Sequence, residues 1–230
     1  LHLAPILAGL GALSILTGNI LALVQVSLKR IFAYSAIAHI GYLMLAFCSF
    51  EAPGDFAVEA TFFYLMTYSI ASILGFSALI NLEKKGHTNP TLPELTGLAK
   101  KDPWTALALT CCVLSLAGLP PTAGFMGKLL IFTAAIKQSY YVFVLIAVLG
   151  SIISLYYYLK IPVTMYMKES FTPSPEPLEA RPKLLQFVIA LALIAVFAIG
   201  TVGMQTTLDL LQNIDFQESF LYSQKNLSQN

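Results

Sequence analysis

About six long apolar stretches alternate with polar connections along the chain. They lie at about Pro5 to Val26, Ile31 to Phe50, Ala57 to Leu82, Pro103 to Ile136, Tyr140 to Met167 and Leu184 to Met204. A helix rising ~1.5 Å per residue needs roughly 20 apolar residues to cross a hydrocarbon core, so each stretch predicts a membrane span. The fourth is too long for one straight helix. It is interrupted at Gly118 to Pro121, where Pro120 and Pro121 cannot donate backbone hydrogen bonds to the carbonyls of Leu116 and Ala117. Two half-helices meeting at a break are expected, with those carbonyls left for water or a partner. Non-helical backbone at membrane depth persists only where protein buries it or a water-filled cavity receives it, so the break should face the inside of a bundle.

The expected fold is therefore all-α, a multi-spanning transmembrane helix bundle in which one helix is broken by proline. Composition agrees: 57% of the residues are hydrophobic and 11% charged, far from the average of soluble domains. The connections differ in charge. Those after the first, third and fifth spans hold Lys29, Arg30, Lys84, Lys85, Lys100, Lys101, Lys160, Lys168, Arg181 and Lys183, whereas the other side holds only Lys137 and Lys225. The positive-inside rule makes the first side cytoplasmic. Basic residues scattered over membrane loops form no stripe, which argues against nucleic acid. Cys48, Cys111 and Cys112 sit in apolar runs without metal-ligand spacing and read as small buried hydrophobes. No phosphate-binding loop, haem motif, iron–sulfur spacing or nucleophilic triad occurs, so neither a cofactor site nor a metal site is expected in this chain. The first residue is not methionine and no cleavable signal pattern is present, so further residues are expected upstream.

Lys128 is the basic residue within the broken stretch. Burial disfavours a charged ammonium and a nearby carboxylate favours it, so moving a partner loads or releases a proton. The alternative, a side chain snorkelling to the surface, is weakened by the apolar Leu129 to Ile136 that follows. His39, inside the second span, is the candidate relay or a packing residue. In the third span Tyr64, Thr67, Tyr68, Ala71, Ser72 and Gly75 share one helical face, either a polar path or a small-residue packing surface. Glu59 reads as a surface carboxylate. Lys29 and Arg30 read as topology anchors, and Tyr156, Tyr157 and Tyr158 beside Lys160 as an interfacial aromatic belt. PELTGLAKK reads as a short helix on the membrane surface, His87 as a solvated loop residue, residues 169–183 as an extended proline-rich loop, and the tail as partly ordered.

QVSLKRIFAYSAIAHIGYL and ELTGLAKKDPWTALALTCCVLSLAGLPPTAGFMGKLLIF resemble the antiporter-like membrane subunits of respiratory complex I and of Mrp-type cation/proton antiporters. The resemblance reaches to about Met167. It implies two inverted five-helix repeats, of which residues 1–168 would be the second, with its broken helix at 103–137. Residues 169–183 would be a cytoplasmic loop and 184–230 the final transmembrane helix and tail. Lys128 matches the family's proton-carrying lysine, and His39 falls in a helix where the family has a polar residue. Where larger members read His, His and Lys, this chain has Tyr64, Tyr68 and Ser72, which is similar to the subunit N type. The resemblance implies proton translocation coupled to NADH:quinone oxidoreduction elsewhere. NADH, flavin, iron–sulfur clusters and quinone would belong to partner subunits, and the partners would be other membrane subunits of complex I and the lipid bilayer. Alternatives are a cation/proton antiporter subunit without redox coupling, or a non-conducting scaffold of the same assembly. The implied location is a bacterial plasma membrane, or else a thylakoid membrane.

Overall fold

The computed structural model describes residues 3–50, 56–84, 89–168, 183–203 and 205. Most of residues 169–183, the tail beyond 205 and His87 lie outside them. Helices α1 (Leu3–Leu23), α2 (Leu28–Phe47), α3 (Phe56–Lys84), α4 (Leu98–Lys101), α5 (Pro103–Ala117), α6 (Ala123–Lys137) and α7 (Tyr141–Met167) follow in order, then α8 (Lys183–Gly203). Five of them are long and apolar enough to cross a membrane. The fold is a multi-span helical membrane bundle.

α1 and α2 form a tight antiparallel pair because glycine lines their contact. A Cβ on Gly18 would sit 2.6 Å from the Ala38 nitrogen, and one on Gly41 would sit 2.6 Å from the Gly11 oxygen. Lipid tails are as apolar as leucine side chains, so close packing of this kind, more than hydrophobic burial, holds such helices together. The connection between them is pinned at its base. Leu28 N–H donates to the Pro90 carbonyl at 3.0 Å, Leu92 N–H to the Val26 carbonyl at 2.9 Å, and Ser27 hydroxyl to Asn89 Oδ1 at 2.8 Å. The PELTGLAKK segment is two short pieces, a 3-10 turn at Pro93–Leu95 and α4, separated by Gly97 at φ 72°. Its Leu95 and Leu98, and Leu92 just before it, are buried against the bundle.

α5 and α6 are the two halves of the broken span, each fifteen residues long, or roughly 22 Å at the α-helical rise. Neither alone covers a hydrocarbon core of ~30 Å. α5 starts with Asp102 as its N-cap, accepting from Thr105 N–H, and with Pro103 in the first turn. Its end differs in cause from the sequence-based expectation. Gly118, at φ 79°, stops the helix before the prolines act. Its N–H bonds the Ser115 carbonyl at 3.0 Å while Leu119 N–H bonds the Leu114 carbonyl at 3.1 Å, the paired pattern of a glycine-terminated helix. Pro120 and Pro121 then prevent resumption until Thr122 opens α6. α8 passes against this break: a methyl on Gly200 would overlap the Pro121 carbonyl.

Candidate functional site

Lys128 lies just over one turn into α6, and its side chain turns back across the break. A Cβ on Gly118 would come within 2.9 Å of the Lys128 Cδ, so the residue that ends α5 also leaves room for the lysine stem. Lys128 is 5% exposed. Its Nζ donates to the Ala117 carbonyl at 3.0 Å and to Ser151 Oγ of α7 at 2.8 Å, and it lies 5.1 Å from the centre of the Tyr42 ring. The Ala117 carbonyl, expected to be left for water or a partner, thus finds its partner in the lysine itself. The lysine does not snorkel. Among the described residues no carboxylate lies within salt-bridge distance of it, the ion pair found there being Lys29 with Glu83. A carbonyl can only accept, whereas a hydroxyl accepts from an ammonium or donates to a neutral amine. Ser151 can therefore stay bonded to the lysine nitrogen in either protonation state.

His39 is buried in α2 between phenols. Nδ1 lies 2.5 Å from the Tyr64 hydroxyl, and Nε2 3.3 Å from the Tyr158 hydroxyl, which is itself hydrogen-bonded to Ser35. Tyr68 and Tyr64 face the imidazole with ring centres at 4.7 and 5.9 Å, and Tyr42 meets it edge-on at 5.9 Å. Phenols both donate and accept, so either imidazole tautomer finds partners on both nitrogens. The ring can take a proton at one nitrogen and release one at the other.

His39 and Lys128 line a common cavity of about 10 Å³, close to the space one water molecule occupies. Tyr64, Thr67, Tyr68 and Ser115 complete its polar lining. Of the residues singled out in the sequence, the fold thus gathers Lys128, His39, Tyr64, Thr67 and Tyr68 around one point, with Gly118 under the lysine and Pro120 and Pro121 in the adjoining turn. Ser72 lies a turn further along α3 and lines a second, larger cavity instead. Thr67 donates back to the Tyr64 carbonyl at 2.9 Å. Glu59 is exposed, as expected of a surface carboxylate.

The aromatic-belt reading holds only for Tyr156, which is 66% exposed; Tyr157 and Tyr158 are buried. Tyr158 reaches His39, and the Tyr157 hydroxyl donates to Asn19 Oδ1 at 3.0 Å. Consecutive residues on a helix point ~100° apart, so a run of three tyrosines cannot all face lipid. The missed signal was the small series Ala147, Gly150 and Ser154, which runs at helical spacing into Tyr157 and Tyr158 and marks the inward face. Ser35, Tyr42 and Ser151 were also missed; the first two share a face of α2 with His39 at three- and four-residue spacing. No cluster of three or more metal-ligating side chains forms among the described residues.

Residues 2–154 match the family described as NADH:quinone oxidoreductase/Mrp antiporter, transmembrane. NADH-quinone oxidoreductase subunit N of Syntrophotalea carbinolica is 47% identical over 158 residues, covering 69% of this chain and 33% of that protein. Subunit N 2 of Roseiflexus castenholzii is 37% identical over 215 residues, covering 92% of this chain and 42% of that protein. The chain therefore spans between a third and less than half of the length of these relatives. Among solved structures, a chain of respiratory complex I from Thermus thermophilus with bound aureothin superposes with a TM-score of 0.72 at 35% identity, over 86% of this chain and 43% of that one. A chain of the Mrp complex from Dietzia sp. reaches 0.75 at 24% identity, over 90% of this chain and 46% of that one, a likeness of fold.

Proposed function

The chain belongs to the NADH:quinone oxidoreductase/Mrp antiporter transmembrane family, and on that premise we propose that it translocates protons as a subunit-N-type membrane component of an NADH:quinone oxidoreductase. Residues 1–168 act as one five-helix repeat, followed by the loop 169–183 and the last helix and tail at 184–230. The observation that carries this reading is Lys128, buried at a helix break and sharing a water-sized cavity with His39. The ammonium gives a proton to a water in that cavity, and His39, held between Tyr64 and Tyr158, exchanges protons with the same water. No electron moves in this chain. NADH, flavin, iron–sulfur clusters and quinone belong to partner subunits, the other membrane subunits of the assembly surround this chain in the bilayer, and the membrane is a bacterial plasma membrane.

The test is Lys128→Ala in the assembled complex, reading NADH-driven proton translocation in vesicles together with complex abundance on native gels. Normal assembly with lost translocation supports the reading. Translocation at the wild-type rate would refute it, and a parallel loss of assembly and activity would point to a scaffold. Arginine is a poor replacement, because its charge is effectively permanent. Sodium- or potassium-driven proton flux without NADH oxidation would favour an antiporter subunit instead.

A further inference from the structure

Asn19 of α1 is completely buried and lies outside the proton route proposed above. A carbonyl can only accept, so the donation from Asn19 Nδ2 to the Ile15 carbonyl at 2.8 Å fixes which way the amide faces. Its Oδ1 receives the Tyr157 hydroxyl at 3.0 Å. The amide nitrogen lies against α7: a Cβ on Gly150 would sit 3.0 Å from Asn19 Nδ2 and 3.3 Å from the Tyr42 hydroxyl. Both polar atoms thus converge on the glycine that precedes Ser151. The Tyr42 hydroxyl is hydrogen-bonded to Asn19 and Ser151, and more weakly to the Ala147 carbonyl at 3.4 Å. Ser151 and the Tyr42 ring are groups that the Lys128 nitrogen itself meets. On the other side Tyr157 is hydrogen-bonded to Tyr158, the neighbour of His39 Nε2.

A run of polar side chains therefore leads from His39 through Tyr158 and Tyr157 to Asn19, and on through Tyr42 and Ser151 to Lys128, behind the water-sized cavity. Each hydroxyl in it can accept a proton at a lone pair while releasing its own. The amide cannot. Gaining a proton at Oδ1 and losing one from Nδ2 would leave an imidic acid, a high-energy tautomer. We infer that Asn19 is a positioning residue with two effects: it holds Tyr42 and the Ser151 turn against Lys128, and it interrupts the run, so that protons pass between His39 and Lys128 only through the cavity water. The inference rests on the proton-transfer reading above. An aspartic acid in the same place would lift the interruption, its O–H standing where the amide N–H stands. His39, as imidazolium, gives its Nε2 proton to Tyr158, Tyr158 gives one to Tyr157, and Tyr157 gives one to the first carboxyl oxygen. The second oxygen gives its proton to Tyr42, Tyr42 gives one to Ser151, and Ser151 gives one to the neutral Lys128 amine. Every group between the two ends finishes as it began.

The experiment uses the assembled complex in sealed inverted vesicles and reads NADH-driven proton translocation per complex, with abundance taken from native gels. Asn19→Leu is expected to slow translocation about twofold to tenfold, the share of one neutral hydrogen bond, and Asn19→Asp to keep most of the rate. A wild-type rate in Asn19→Leu, or an equally low one in Asn19→Asp, would overturn the positioning role. The interruption is tested with the cavity filled. Ala71→Val adds methyl groups to the cavity wall and is expected to slow translocation by about tenfold or more, as loss of a proton-transfer group does. Adding Asn19→Asp should recover most of that loss and adding Asn19→Leu none of it, while Tyr157→Phe, which removes one hydroxyl, should abolish the recovery. A wild-type rate in Ala71→Val alone, or no recovery on adding Asn19→Asp, would overturn the interruption. Thr67→Val, which takes a hydroxyl from the cavity without adding bulk, replaces Ala71→Val if that variant fails to assemble. A wild-type rate in Lys128→Ala would refute the proton-transfer reading itself, whereas lost translocation there together with no recovery strikes the Asn19 inference alone.

Discussion

The two ends of the broken span's first half each hold a buried charge, and they hold it in opposite ways. Asp102, 1% exposed, accepts from Thr105 N–H at 3.2 Å, from Thr105 Oγ1 at 2.6 Å and from Asn81 Nδ2 at 3.1 Å. Its donors come from its own first turn and from α3, so the carboxylate both caps α5 and ties it to α3. Lys128 at the other end is almost as buried, yet it has one carbonyl, one reversible hydroxyl and a cavity. Burial by itself therefore says little about role. A charge surrounded by fixed donors is a structural fastening, whereas one with an exchangeable neighbour can change its protonation without dismantling the fold.

The largest expected effect is the division between these two ends. Lys128→Ala should remove nearly all coupled proton translocation and leave the complex assembled. Asp102→Ala should deplete assembled complex on native gels, since it strands buried donors and removes a cap at a cost of about 2–4 kcal/mol. Equal loss of assembly in both variants would make Lys128 a fastening too. Next comes His39→Ala, expected to slow translocation by about tenfold to a hundredfold, the range for removing a proton-transfer group. Thermal stability in detergent should stay near that of the parent; a large drop in melting temperature with little change in rate would return His39 to packing. The smallest effect is expected for Ser151→Ala, about two- to threefold on the rate, because a water in the adjoining cavity can replace the lost hydroxyl. A loss as deep as that of Lys128→Ala would show that the hydroxyl itself passes the proton.

Much of the bundle was legible from hydropathy. Each apolar stretch became a helix, or two at the break, with ends displaced by a few residues, because length and lack of charge determine spanning helices almost regardless of context. The break was legible too, though its cause was assigned two residues too late: proline is conspicuous, but Gly118 supplies the left-handed turn that ends α5. Within the site, Lys128, His39 and the Tyr64 to Tyr68 face stood out because ionisable and phenolic groups are expensive in hydrocarbon. Ser35 and Ser151 did not. A serine in an apolar helix most often bonds its own backbone, as Ser49 does with the Leu45 carbonyl, and nothing local distinguishes one that reaches another helix.

The sequence by itself determined the spanning helices and the place of the break, all consequences of local composition, rise per residue and proline and glycine chemistry. Tertiary structure alone decided which groups meet. Lys128 comes from α6, Ser151 and Tyr158 from α7, His39 from α2 and Tyr64 from α3, and their convergence depends on how glycine-lined faces let the helices approach and rotate. A helix rotated by one residue, ~100°, would present the same side chains to lipid, and no local property of the chain chooses between those rotations.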